Sequence, residues 1–283
     1  MFERGRYAAN CSLLFREYEL LARPAAARAA GFAAIEYWWP FAEPVPDQRD
    51  VDAFVTAIER SGTQLVGLNF YAGDLEGPDC GVLSLPDRAQ EFVASLDVAI
   101  AIGERLGVPA FNALYGNRVA SSTPTDQDAL ATKNLAIAAA AAQHINATVL
   151  VEAISGPKPY PLRTANDVVA VVDRLRADGS ANVGFLCDVY HLAANHTDPV
   201  AAILRHRETI THVQIADFPG RGEPGTGELD LAGCLEALEL IGYEGWIGLE
   251  YVPSATTADS LGWLVRADDG SDQRTHSSSR RPT

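Results

Sequence analysis

The stretch TVLVEAISGPKPYPLRTANDVVAVVDRLRADGSANVGFLCD, residues 148–188, carries the unit from which the fold is predicted. It opens with a short apolar run, Thr148–Glu152, and closes with another, Val183–Asp188. Between them, Ala165–Ala177 has apolar residues at helical spacing, and Gly179 follows as a helix stop. Strands that are apolar on both faces are typical of parallel sheets covered by helices. The stretch therefore predicts a strand–helix–strand unit of a parallel sheet.

The same alternation of strand-like and helical segments continues on both sides of this stretch. Strands are predicted at 7–10, 33–37, 64–69, 110–114, 148–152, 183–188, 212–216 and 246–250. Helices are predicted at 18–30, 51–61, 88–106, 127–144, 165–177, 199–206, 231–241 and 257–265. Eight strand–helix units without a linker between them predict a single-domain α/β fold, the (β/α)₈ or TIM barrel.

A doubly wound open sheet is the alternative architecture. Such sheets usually open with a glycine-rich phosphate-binding turn after the first strand, whereas this chain has Cys11, Ser12 and Leu13 at that point. The barrel is therefore favoured, and no nucleotide cofactor is predicted. We assign the barrel to residues 1–266. Residues 267–283 are polar and lack apolar periodicity, so they are predicted to form a disordered tail.

The composition limits the classes of function. The chain has 22 Lys+Arg and 37 Asp+Glu, a formal net charge of −15, and a surface of that sign repels the phosphate backbone of nucleic acid. Its longest apolar runs, such as 134–142, are shorter than the roughly 20 residues of a membrane-spanning helix. The N-terminal segment lacks the apolar core of a signal peptide, which predicts a cytoplasmic protein. The four cysteines show no CxxC spacing, which indicates reduced thiols.

Oxygen-bearing side chains lie at or near the ends of four consecutive predicted strands: Glu152, Asp188, Gln214 and Glu250. Because the active site of a TIM barrel lies at the C-terminal ends of its strands, we expect these side chains to meet. Carboxylates crowded together at low dielectric repel one another strongly unless a cation lies among them. Oxygen ligands favour a hard divalent ion such as Mg²⁺ or Mn²⁺. Strand-end acids also commonly cap a following helix, but three carboxylates and a glutamine on successive strands favour a metal site.

Other polar side chains predict a substrate pocket at the same end of the barrel. His191 follows the sixth strand by three residues, and Arg221, in the loop after the seventh strand, is the cation suited to a substrate carboxylate. Asn69 ends the third strand. The tryptophan pair at 38–39 is expected to cover the mouth and exclude water. The remaining histidines, among them His212, are interpreted as surface or packing residues.

Five segments of the chain have a distinctive sequence: ANCSLLFREYELLAR (9–23), NFYAGD (69–74), CDVYH (187–191), HVQIADFPGRGEPGTGELD (212–230) and GYEGWIGLEYVPS (242–254). Together they resemble the hydroxypyruvate isomerase family of xylose-isomerase-like TIM barrels. The resemblance covers nearly the whole chain. It implies that Glu152 and Glu250 are the catalytic acid/base pair. It also implies a divalent metal held by Glu152, Asp188, Gln214 and Glu250, with His191 and Arg221 touching the substrate.

One segment departs from the family pattern. Residues 151–162 read VEAISGPKPYPL, where better-known members are expected to have Glu-Pro-Ile/Leu-Asn. This difference makes Lys158 a further candidate for binding the substrate and predicts a distinct pocket.

The resemblance implies an isomerase that interconverts hydroxypyruvate and tartronate semialdehyde (2-hydroxy-3-oxopropanoate) through an enediolate. Two carboxylates that take and return a proton, with a metal stabilising the developing charge, suit this reaction. Alternatives within the same barrel class are a 2-oxo-tetronate isomerase and a ketose or keto-sugar epimerase. A metal-dependent DNA-repair endonuclease and a non-catalytic sugar-binding protein are the alternatives outside it. A homo-oligomer is also predicted, because exposed barrel helices commonly pair.

Overall fold

The protein folds as a closed barrel of eight parallel strands, seen in a computed structural model that describes residues 4–264. Each strand pairs with the next along the chain, and the last closes the ring against the first. The strands are β1 (Tyr7–Asn10), β2 (Ala34–Tyr37), β3 (Gln64–Asn69), β4 (Ala110–Asn112), β5 (Thr148–Glu152), β6 (Val183–Asp188), β7 (Ile210–Ile215) and β8 (Ile247–Leu249). The predicted single-domain (β/α)₈ barrel is confirmed. The predicted tail at 267–283 lies outside the described residues.

Helices follow the strands and surround the barrel. They are α1 (Arg23–Ala29), α2 (Gln48–Ser61), α3 (Ala89–Leu106), α4 (Pro124–Gln143), α5 (Ala165–Ala177), α6 (Val189–Ala194), α7 (Pro199–Arg205), α8 (Leu231–Leu240) and α9 (Thr257–Ser260). Short 3₁₀ turns occupy Arg4–Arg6 and Leu20–Ala22. Within residues 4–264, none of the helices combines the length and the apolar character needed to cross a membrane.

Two prolines explain where helix starts differ from the prediction. Pro24 lies in the first turn of α1, a position that proline tolerates because its missing N–H would have no partner there. The chain before it forms a separate 3₁₀ turn, so α1 is shorter than the predicted helix at 18–30. Pro124 likewise opens α4 behind the N-cap Thr123, whose hydroxyl accepts from the Asp126 N–H. The capping signal therefore starts α4 earlier than the predicted residue 127.

The strands bury both of their faces, as their dense apolar sequence predicts. Outward side chains such as Val149 and Val151 of β5 belong to the large core between the barrel and its helices. Inward side chains form small separate clusters, one of which joins Leu150 of β5 with Leu186 of β6 and Ala110 of β4. This alternation determines which strand residues face the barrel interior.

Candidate active site

The interior becomes polar at the C-terminal ends of the strands. Glu152 and Asp188 lie two residues beyond Leu150 and Leu186 and therefore share their inward face. Asp188 and Gln214 are register partners on β6 and β7, and Glu250 follows β8 directly. The four strand-end residues have exposed fractions of only 2–6%. The structure thus brings together the residues that the sequence grouped.

One carboxylate oxygen of Glu152 accepts a hydrogen bond and the other does not. Its Oε2 accepts a hydrogen bond of 2.7 Å from Asn112 Nδ2 on β4, whereas its Oε1 has no hydrogen-bond partner in the described part of the chain. Burial, followed by the charges of Glu250 and Asp188, raises the pKa of Glu152 well above its ordinary value. Glu152 therefore holds a proton at a higher pH than an exposed glutamate would.

Asp188 is both a helix cap and a member of the carboxylate cluster. Its Oδ1 accepts from the backbone N–H groups of Tyr190, at 2.8 Å, and His191, at 3.3 Å, and so caps α6. Its Oδ2 is buried without a hydrogen-bond partner among the described residues. Burial and then the charge of Glu250 raise the pKa of Asp188 well above its ordinary value. The capping role considered from the sequence accounts for only one of its two oxygens.

Glu250 is held by donors on three other elements. Its Oε1 accepts from Trp38 Nε1 at 2.5 Å and from Asn10 Nδ2 at 3.4 Å. Its Oε2 lies 3.0 Å from Nη2 of Arg221. These contacts fix the orientation of the carboxylate across the pocket from Glu152.

His191 presents a hydrogen-bond donor to the carboxylates. Its Nδ1 lies 3.0 Å from the Ser155 backbone N–H, which can only donate, so Nδ1 is the acceptor and the ring proton sits on Nε2. Nε2 lies 3.7 Å from Asp188 Oδ2 and 3.9 Å from Glu152 Oε1. Burial, and then the charges of Arg221 and Arg163, lower the pKa of His191 well below its ordinary value. The ring is therefore neutral near neutral pH, and these contacts are not ion pairs.

Arg221 is positioned by a loop built around Asp217. Asp217 is buried and accepts hydrogen bonds from the backbone N–H groups of Phe218, Gly225 and Leu229, at 2.7–3.1 Å. This loop holds Arg221 at a left-handed φ of 58°. Although burial opposes it, the charges of Glu250, Asp188 and Glu152 raise the pKa of Arg221. The loop thus places a permanent cation beside the carboxylates.

Gln214 belongs to a polar layer next to the carboxylates. Its Nε2 donates to Glu36 Oε2 at 2.9 Å, and its Oε1 has no hydrogen-bond partner within residues 4–264. The other oxygen of Glu36 contacts Nε2 of His212. The interpretation of His212 as a packing residue captured its burial but not this polar contact in the barrel interior.

A cavity of about 180 Å³ opens beside these residues. It is lined by both predicted acid/base residues and by all four predicted substrate-binding residues: Glu152, Glu250, Asn69, Lys158, His191 and Arg221. Trp38 also lines it, as expected for a residue at the mouth. Lys158 Nζ donates to the carbonyls of Leu75 and Asp79, at 3.2 and 2.6 Å, so it ties the loop after β5 to the loop after β3.

The carboxylate cluster has the composition of a site for a cation. One potential ligand atom each from Glu152, Asp188 and His191 lie within 4.8 Å of one another, although the proton on His191 Nε2 makes this ring a donor in the tautomer described above. The buried oxygens Glu152 Oε1, Asp188 Oδ2 and Gln214 Oε1 all lack a hydrogen-bond partner in the described structure. Each such oxygen costs about 1–3 kcal/mol when it has no partner. A cation bound among them would supply the missing interaction.

Sequence reasoning missed most of the groups that orient these side chains. The missed roles are those of Asn10, Ser155, Asp217 and, in its hydrogen bond to Glu250, Trp38. Each of these residues either lies far in sequence from the residue that it orients or has the local sequence of a turn. The signal available was weak: Asn10 and Asn112 are polar residues at the ends of otherwise apolar strands.

Comparison with known proteins agrees with the fold and the motifs. A family model described as xylose isomerase-like TIM barrel matches residues 24–267. The chain belongs to this family. This xylose isomerase-like barrel is 50% identical over 269 residues to a protein of Streptomyces coelicolor named putative hydroxypyruvate isomerase. The alignment covers 93% of this chain and 96% of that protein. The resemblance inferred from the sequence motifs is confirmed.

Other relatives of this xylose isomerase-like barrel are named as isomerases of two kinds. The hydroxypyruvate isomerase of Escherichia coli is 29% identical over 261 residues, with 92% of this chain and 98% of that protein covered. The 2-oxo-tetronate isomerase of Cupriavidus necator is 32% identical over 261 residues, with 92% and 97% covered. Among solved structures, a protein described as AP endonuclease, family 2, from Brucella melitensis has a TM-score of 0.82 at 28% identity, with 93% and 98% covered.

Proposed function

We propose that this protein is an isomerase that interconverts hydroxypyruvate and 2-hydroxy-3-oxopropanoate. The observation that carries the proposal is a small cavity lined by the buried carboxylates Glu152 and Glu250 and by the cations Arg221 and Lys158. The chain is also 50% identical to a protein named putative hydroxypyruvate isomerase. The cavity volume of about 180 Å³ is below the roughly 300–1,000 Å³ of sites for drug-sized ligands. A three-carbon acid suits a cavity of this size.

The charge of the lining suits an anionic substrate. Arg221 donates from Nε to the backbone carbonyl of Glu250 and places Nη2 beside the Glu250 carboxylate. The remaining guanidinium N–H groups are left for a substrate carboxylate. Lys158 uses two of its three ammonium hydrogens on backbone carbonyls. The neutral His191 offers its Nε2–H to a substrate oxygen. Together with Asn69, these side chains form the proposed substrate-binding set.

The reaction moves one proton between adjacent carbons. The C–H bond at C3 of hydroxypyruvate breaks, an enediolate spans C2 and C3, and a C–H bond forms at C2 while the hydroxyl proton passes from O3 to O2. Glu152 and Glu250 are the proposed pair that takes and returns the carbon-bound proton. The raised pKa of Glu152 brings it closer to the working pH, where a group both accepts and donates protons efficiently.

A divalent ion, Mg²⁺ or Mn²⁺, fits the oxygen-rich cluster. We assign Glu152, Asp188, Gln214 and Glu250 as its ligands, because the first three each offer a buried oxygen without a hydrogen-bond partner in the described chain. His191 is a donor rather than a ligand, because its Nε2 carries the ring proton. When bound, such an ion polarises substrate oxygens and stabilises the negative charge that develops on them.

The strongest alternative is a 2-oxo-tetronate isomerase, since a relative of that name is 32% identical. That reaction would use the same acid/base pair and cations on a four-carbon acid. The similarity to a protein described as an endonuclease does not favour that activity here, because a net charge of −15 opposes binding of nucleic acid. A cytoplasmic location and a homo-oligomer stay predictions of the sequence.

Turnover followed by proton NMR tests the proposal. The purified protein with Mg²⁺ is incubated separately with hydroxypyruvate, a 2-oxo-tetronate and a ketose, and the product signals are recorded. We expect rapid conversion of hydroxypyruvate to the aldehyde isomer and slower conversion of the others. Fast turnover of the four-carbon acid without turnover of hydroxypyruvate would replace the proposed substrate with the alternative one.

A further inference from the structure

Glu36 is a buried carboxylate in the barrel interior that the proposed reaction does not use. It lies on β2, is 2% exposed, and reaches side chains on β7. The barrel has space for it where β3, which pairs with β2, and β8, two strands away, carry glycine. A Cβ on Gly248 would lie 2.4 Å from Glu36 Oε2, and a Cβ on Gly67 would lie 3.4 Å from its Cγ. Glycine at these positions therefore leaves room for the Glu36 side chain.

The two oxygens of Glu36 meet two different partners. Oε1 contacts Nε2 of His212, and Oε2 lies 2.9 Å from Nε2 of Gln214. At Oε2 the carboxyl group of Glu36 is the acceptor and the Gln214 amide is the donor. The end of the Gln214 amide that faces Glu36 must therefore be its NH₂ group.

This contact determines the direction of the other end of the amide. Gln214 Oε1 is buried without a hydrogen-bond partner in the described residues, and Gln214 is the register partner of Asp188, whose Oδ2 is also buried and unpartnered there. If the amide were reversed, an NH₂ group would replace this oxygen on β7, next to the register partner Asp188 on β6. An NH₂ group repels a cation and has no lone pair to coordinate it.

We propose that Glu36 is a positioning residue that directs the carbonyl oxygen of Gln214 toward the metal-binding carboxylates. The inference rests on the proposed function, because it assumes that a divalent ion binds at Glu152, Asp188, Gln214 and Glu250. Glu36 itself does not touch the ion or the substrate. It acts only through the orientation of the Gln214 side chain.

Substitution Glu36→Gln tests this role with almost no change in shape. The introduced amide has one oxygen and one NH₂ group. In the tautomer in which His212 Nε2 is the donor, that oxygen accepts from His212 and the NH₂ group faces Gln214. The Gln214 amide then turns its oxygen toward that NH₂ group and its own NH₂ group toward the site. We expect Mn²⁺ affinity, measured by calorimetry without substrate, to fall about 10–100-fold, the usual effect of losing a group that orients a metal ligand.

A double variant separates orientation from packing. Combining Glu36→Gln with Gln214→Glu places a carboxylate opposite the introduced amide, so one oxygen accepts its hydrogen bond and the other still faces the site. We expect the double variant to bind Mn²⁺ at least as tightly as the wild type. In the single Gln214→Glu variant two carboxylates face each other, and we expect weaker binding than in the double variant. Asp173→Asn, an exposed substitution on α5, is the matched control.

The outcomes decide the proposal. Wild-type Mn²⁺ affinity in Glu36→Gln would overturn it. Mn²⁺ binding that is equally weak in the single Gln214→Glu variant and in the double variant would also overturn it. Thermal melting of each metal-free variant verifies folding. If Glu36→Gln does not fold, Gly248→Ala tests the same contact, because its Cβ displaces the Glu36 carboxylate, and unchanged Mn²⁺ affinity there would also overturn the proposal. Absence of hydroxypyruvate turnover alongside the expected Mn²⁺ pattern would refute the proposed substrate but not the role of Glu36.

Discussion

Metal binding by this site should depend on pH above the range in which ordinary carboxylates titrate. A divalent ion binds deprotonated carboxylates, so it competes with protons for Glu152 and Asp188. Burial and the neighbouring carboxylate charges raise the pKa of both groups well above ordinary values. A raised carboxyl pKa means that the metal-free site takes up protons at a higher pH than usual as the pH falls. Affinity is therefore complete above the raised pKa values and is lost as the pH falls through them.

The size of this dependence follows from the number of protons displaced. Arg221 favours the charged forms of both carboxyl groups, so we assign one displaced proton to the Glu152–Asp188 pair. One proton corresponds to about tenfold in affinity per pH unit, or about 1.4 kcal/mol. Carboxylates with an ordinary pKa of about 4 would instead give constant affinity between about pH 6 and pH 8.

Calorimetric titration with Mn²⁺ at a series of pH values from about 5 to 8, above the ordinary titration range of carboxylates, measures the affinity. Repeating each titration in buffers with different heats of ionisation counts the protons released. Glu152→Gln should release fewer protons than the wild type, whereas Asp173→Asn should behave like it. Constant affinity across the range, with no proton release, would refute the argument that the metal-free cluster holds a proton.

Three substitutions test the groups that support the site. Arg221→Lys keeps the positive charge but loses the guanidinium geometry. The value of kcat/KM should therefore fall about 10–100-fold, largely through a higher KM. An unchanged KM would exclude a role of Arg221 in substrate binding. Asp217→Ala leaves three backbone N–H groups without their acceptor, so it should lower the free energy of unfolding by about 3 kcal/mol. Denaturant unfolding measures this loss. A loss near zero would contradict the dependence of the loop on the Asp217 carboxylate. Asn112→Leu removes the donor that lowers the pKa of Glu152, so the acidic limb of the pH–rate profile should move to higher pH. An unshifted limb would contradict control of Glu152 by this bond.

The strands and helices that repeat along the chain could be predicted from the sequence. β5 and β6 were predicted to the residue because both are continuous apolar runs that end in a carboxylate. The same local pattern identified Glu152 and Asp188 as neighbours, because adjacent parallel strands present their C-terminal ends at one mouth. The six-residue helix α6 was missed, since one and a half turns contain too few positions to show helical periodicity.

The rest of the site depends on closure of the barrel. Glu36 and His212 are 176 residues apart, and Trp38 and Glu250 are 212 residues apart. Their contacts exist only because β1 pairs with β8 and the interior side chains then face one another across the barrel. A pattern read along the chain carries no information about such contacts. His212 was therefore interpreted as a surface or packing residue, and Trp38 only as a cover for the mouth.

The charge of the protein also has a local exception at the pocket. The net charge of −15 disfavours the approach of an anionic acid, yet Arg221 and Lys158 both line the cavity. The raised pKa of Arg221 shows that its charge is stabilised by the carboxylates it faces. These two cations make the pocket locally more favourable for a small anion than the net charge of the protein would suggest.

Exchange of a carbon-bound proton of hydroxypyruvate tests the central claim most directly. The wild type and the variants Glu152→Gln and Glu250→Gln are incubated with hydroxypyruvate and Mg²⁺ in D₂O, and deuterium incorporation is followed by proton NMR. Each substitution should slow the exchange by at least about 10²–10⁴-fold, the contribution of a general acid or base, while circular dichroism and melting temperature stay those of the wild type. Wild-type exchange rates in either variant would contradict the assignment of these two glutamates as the proton-transfer pair.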